Sequence, residues 1–124
     1  MGMAQTSVLV LSFFFLLTFV SGFWLSLSPK PFNALAMTLH KLGSLAAFAF
    51  LVYLAVHIHR TVHFSGLDWA VCAAAGLSFL AAIVSGGVVT AVQPAPAASI
   101  AAHRIAPFSA VITTAAAFCL FILQ

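Results

Sequence analysis

The chain has 124 residues, of which 65% are hydrophobic and only 4% charged. A soluble domain carries about 25% charged residues, so this composition excludes a soluble surface and places the protein in a bilayer. The formal charge of +3 rests on Lys30, Lys41, Arg60 and Arg104 against Asp68, too few cations for a nucleic-acid footprint.

Four apolar runs follow one another, roughly 5–27, 33–58, 68–92 and 98–123. Each is near the ~20 residues that cross a bilayer. The first has no basic leader and is too long for the apolar core of a signal peptide, so it is expected to be a retained span. "SPKPF" (28–32) and "QPAPAAS" (93–99) read as tight reversals, because proline cannot continue a helix and restricts the residue before it. "HRTVHFSGLD" (59–68) reads as a longer polar connection, with Asp68 in the loop. The expected fold is an all-α integral membrane protein, an up-down-up-down bundle of four transmembrane helices in a single domain. Lys30, Lys41 and Arg104 lie towards the first and third connections, which the positive-inside rule would put in the cytoplasm. Trp24 and Trp69 suit the interfacial aromatic belts. Cys72 and Cys119 form no CxxC or CxxCH pattern, which argues against a redox thiol pair, a zinc knuckle and covalently attached haem.

The two halves resemble each other, as repeats over about 5–60 and 66–124. Ser21-Gly22, "PKP" (29–31) and "HKLGS" (His40 to Ser44) are matched by Ser85-Gly86, "PAP" (94–96) and "HRIAP" (His103 to Pro107), at offsets of 64, 65 and 63 residues. Each copy is a helix hairpin, with a small Ser-Gly pair near the end of its first helix and a His-basic pair near the start of its second. At 1.5 Å per residue the histidines and glycines all fall roughly 8–10 Å below one membrane face.

An ionisable group inside a membrane helix is costly and by default marks function. Two neutral imidazoles at one depth are a natural axial pair for haem iron. The face around His40 continues through Gly43, Ser44, Ala47 and Leu51, and that around His103 through Ala106, Pro107, Ala110 and Thr114. These are i+3, i+4, i+7 and i+11 neighbours, nearly all small. Small faces also serve plain helix packing. Gly22 and Gly86 would give a macrocycle clearance. Pro107 removes the amide that would bond the His103 carbonyl. Lys41 and Arg104, directly after the histidines, can snorkel to the interface and meet haem propionates.

"SG" late in one helix, "LHKLG" early in the next and an HxH end resemble the small four-helix membrane-bound b-type cytochromes, which stand alone or serve as membrane subunits of oxidoreductases. The resemblance covers roughly Thr18–Arg60 and, through the repeat, Ala82–Cys119. It implies haem b, axial ligands at His40 and His103, electron exchange with the quinone pool or a redox partner, and a place in the prokaryotic cytoplasmic membrane. Many such proteins carry two haems.

Here a second haem lacks ligands. His57 lies 17 residues beyond His40, about 25 Å along a helix, and clusters with His59 and His63 at the other face. At that depth the first run offers Gln5, Thr6 and Ser7, and the fourth offers Cys119 and Gln124. Met3 is a weak candidate ligand at a terminus. One haem is therefore expected. His57, His59 and His63 form a candidate secondary site, either a metal clip from the i, i+4 pair His59 and His63 or part of a quinone pocket or proton entry. Without nicotinamide, flavin or iron–sulfur motifs, the chain is expected to pass electrons rather than transform a substrate. Two other readings stand: a haem-free structural or assembly subunit of a larger membrane complex, and a small metal or proton transporter using the second histidine cluster.

Overall fold

A computed structural model describes residues 2–122, with the side chains of Met3, Ala4 and Ile122 left out. The Met3 ligand and Gln124 considered above therefore fall outside the described atoms. The described chain consists of four helices: α1 (Met3–Leu27), α2 (Ala34–Thr61), α3 (Gly66–Ala91) and α4 (Ala97–Ile122). All four are long and apolar enough to cross a membrane, and the protein is an all-α integral membrane protein. At 25 to 28 residues each, they exceed the ~20 residues that a bilayer demands.

The starts and stops follow local chemistry. Asn33 caps α2, its side-chain oxygen accepting the amides of Leu35 at 2.9 Å and Ala36 at 3.2 Å, two of the donors a helix start leaves over. Ser28 closes α1, its amide donating to the Leu25 carbonyl at 3.2 Å. Lys30–Pro31 and Gln93–Pro94 are cis in the two proline connections.

The middle connection differs from the expected long loop. α2 continues to Thr61 and α3 begins at Gly66, so only residues 62–65 join them. No proline or glycine interrupts "HRTVH", and polarity alone does not end a helix. Asp68 is not in a loop. It sits in the first turn of α3, 2% exposed, as the acidic half of a capping box. Its carboxylate accepts from the Ser65 amide and hydroxyl, both at 2.7 Å, and its own amide donates to the Ser65 hydroxyl at 3.3 Å.

The chain divides into two compact units, one ending at Leu54 and the other beginning at Ala55, inside α2. Each unit buries a seam of mainly small residues. In the first these include Leu11 and Ser21 of α1 with Gly43, Ala47 and Leu54 of α2. In the second they include Ala75 and Ser85 of α3 with Ala106, Ala110 and Ala117 of α4. The second set repeats the first at the same offsets that relate the two hairpins. Small residues let helix backbones approach closely where lipid gives no hydrophobic drive to associate. The large apolar side chains, among them Phe13, Leu16, Phe23, Leu77, Ile105 and Ile112, point outwards, as they should where the surroundings are hydrocarbon.

The second unit also holds an aromatic cluster at the α2–α3 turn. Phe64 stacks on Phe121 at 5.0 Å between ring centres, and Trp69 meets Phe64 edge-on at 5.3 Å. His59 joins both, 5.1 Å from each ring. His59, near the end of α2, is thereby tied to Trp69 of α3 within the second unit.

Candidate functional sites, one histidine in each helix hairpin

His40 stands two turns into α2, half-buried against α1. Its Nδ1 lies 2.9 Å from the carbonyl oxygen of Thr18. A carbonyl only accepts, so Nδ1 carries the hydrogen. Ser21, 4% exposed, lies alongside. Its hydroxyl donates back to the Leu17 and Thr18 carbonyls at 2.6 and 3.1 Å, and its oxygen is 3.4 Å from Nδ1. One helix turn thus offers the imidazole a carbonyl and a hydroxyl together. Gly22 completes the seat. A Cβ there would lie 2.8 Å from Cε1 and 3.1 Å from Nδ1 of His40, so any larger residue would have to push the ring aside.

His103 repeats the arrangement on α4 against α3. Its Nδ1 is 2.9 Å from the carbonyl of Ala82 and 3.5 Å from the Ser85 hydroxyl. That hydroxyl donates to the carbonyls of Ala81 and Ala82. A Cβ at Gly86 would lie 2.7 Å from Cε1 and 3.0 Å from Nδ1. The space each glycine leaves is taken by the imidazole of its own hairpin.

The other expected site residues divide by environment. Gly43 is buried, and a Cβ on it would meet the Thr18 hydroxyl at 3.0 Å, so it sets the α1–α2 approach one turn above His40. Ser44 turns back on its own helix, donating to the His40 and Lys41 carbonyls at 3.0 Å each. Ala47 is buried in the seam. Pro107 lies inside a continuous α4 and takes away the amide that would otherwise bond the His103 carbonyl. Lys41 and Arg104 are exposed and directly follow the two histidines in sequence.

The second histidine cluster does not form the expected helical clip. α2 stops at Thr61, so His59 and His63 are not i, i+4 partners on one helix; their rings are 6.1 Å apart and tilted. The Phe64 amide donates to His59 Nδ1 at 3.4 Å. A neutral ring that accepts at Nδ1 carries its hydrogen on Nε2 and has no second lone pair to give a metal. Among the described residues no three His, Cys, Asp or Glu side chains stand together as a metal site. His59 is instead part of the aromatic cluster.

The Ser-Gly pairs and the histidines are legible in the sequence, whereas the carbonyls of Thr18 and Ala82 are not. The available signal was the "SG" pair itself, which leaves a helix surface open just where the preceding turn's carbonyl emerges. Compared with protein-family models, with curated proteins and with solved structures, the chain finds no match.

Proposed function

We propose that this integral membrane protein is a haem b electron carrier of the prokaryotic cytoplasmic membrane, in which His40 and His103 would hold one haem. The observation that carries the reading is the repeated seat, in which each imidazole donates Nδ1–H to a carbonyl of the preceding helix at 2.9 Å. Metal-bound histidines characteristically do this, since the bond fixes the tautomer and orientation and raises the basicity of the other nitrogen. The donor set fits haem b: two half-buried histidines, equivalent in surroundings and distinct from His59.

Lys41 and Arg104 are the propionate partners in this reading. Gly22 and Gly86 leave the space the imidazoles occupy, while Gly43, Ser44, Ala47 and Pro107 shape the faces beside them. Haem b, when bound, supplies a one-electron Fe(III)/Fe(II) couple. The chain carries electrons between the quinone pool and a redox partner, as a membrane subunit of an oxidoreductase or as a stand-alone cytochrome, and does not itself transform a substrate.

The test is a reduced-minus-oxidised visible spectrum of the purified protein, beside His40→Ala and His103→Ala. A sharp reduced α-band of b type, lost in both variants, supports the reading. No band in the wild-type protein expressed with haem supplied would overturn it in favour of a haem-free structural subunit.

A further inference from the structure

We infer that Gly22 and Gly86, with the carbonyls of Thr18 and Ala82, are positioning groups that hold His40 and His103 as Nδ1–H tautomers, so that both coordinate through Nε2. The consequence for ligation rests on the haem reading; the tautomers themselves do not.

Neutral histidine in water favours the other tautomer, with the hydrogen on Nε2. The two seats reverse that preference. The carbonyl oxygens at 2.9 Å accept only from a protonated Nδ1, and the glycines let the rings come close enough to donate. A methyl group at either glycine would stand 2.7–2.8 Å from ring carbon Cε1, where van der Waals contact needs about 3.5 Å or more. The ring would have to swing away, and the Nδ1 bond would lengthen or break. His59, accepting at Nδ1 from the Phe64 amide, holds the opposite tautomer and is a reference within the same chain.

Ser21 and Ser85 stand beside the same bond, donating to the carbonyls that the imidazoles use at 3.1 and 3.2 Å, with their oxygens 3.4 and 3.5 Å from Nδ1. The Nδ1–H bond makes Nε2 a stronger donor and favours Fe(III) over Fe(II). Losing it does the reverse, so Gly22→Ala should raise the haem potential.

The experiment is nitrogen NMR of the full chain with 15N-labelled histidine, in the haem-free and haem-loaded forms, followed by redox titration of the loaded variants. The haem-free wild type should show protonated Nδ1 at His40 and His103 and protonated Nε2 at His59. Gly22→Ala should abolish the His40 signature and leave His103 as it was; Gly86→Ala should do the converse. Protonated Nε2 at His40 or His103 in the wild type overturns the inference, as does a haem potential that is unchanged or lowered in Gly22→Ala. Should the expected tautomers appear in a chain that binds no haem, the positioning role stands and only the haem reading fails. Should haem bind through both histidines with the Nε2–H tautomer in the free chain, the inference fails alone.

Discussion

An imidazole beside a glycine is usually free to lean and rotate, yet His40 and His103 are fixed by a carbonyl at 2.9 Å and by the packing surface that glycine alone provides. Substituting the residues behind a metal ligand commonly weakens metal binding by about 10- to 100-fold. Gly22→Ala and Gly86→Ala should each weaken haem binding on that scale, read by titrating haem into the haem-free protein. Lys41 and Arg104 are exposed, so Lys41→Gln and Arg104→Gln should leave the unfolding temperature nearly unchanged. Each should still weaken haem binding by about tenfold, the scale of one charge-assisted hydrogen bond. Unaltered haem affinity in both would remove the propionate role.

Among the elements, α3 owes its start to Ser65 and Asp68. The carboxylate satisfies one end of the α2–α3 turn while Ser65 satisfies an amide of the helix. Losing a helix cap destabilises by roughly 0.5–2 kcal/mol, and Asp68 is buried as well. Asp68→Ala should therefore lower stability by about 1–2 kcal/mol in detergent, seen as an earlier loss of helical circular dichroism on heating. The helices themselves were legible as apolar runs, and the proline connections as reversals, because proline removes the amide a helix needs. The middle connection reads longer in the sequence than it is, because "HRTVH" is polar but carries no breaker and the Ser65–Asp68 box resembles loop chemistry. The histidines and Ser-Gly pairs were legible from their repeat. Their carbonyl partners were not, since a backbone oxygen leaves no residue type in the sequence to point to it.

At the scale of the whole molecule, one chain contains two hairpins with the same seat, and a third group of histidines that is built differently. His59 is committed to Phe64 and Trp69 by ring contacts and a backbone amide. Joint replacement of His57, His59 and His63 by alanine should accordingly leave the haem spectrum unchanged, whatever it does to quinone reactivity. The central claim is that the two repeated seats together serve one haem. Haem titration of the haem-free chain, followed by the low-spin Soret band, tests it most directly in wild type, His40→Ala and His103→Ala. The account predicts one haem per chain in the wild type and loss of the low-spin complex in either variant. Two haems per chain, or an intact low-spin complex in either single variant, would contradict it.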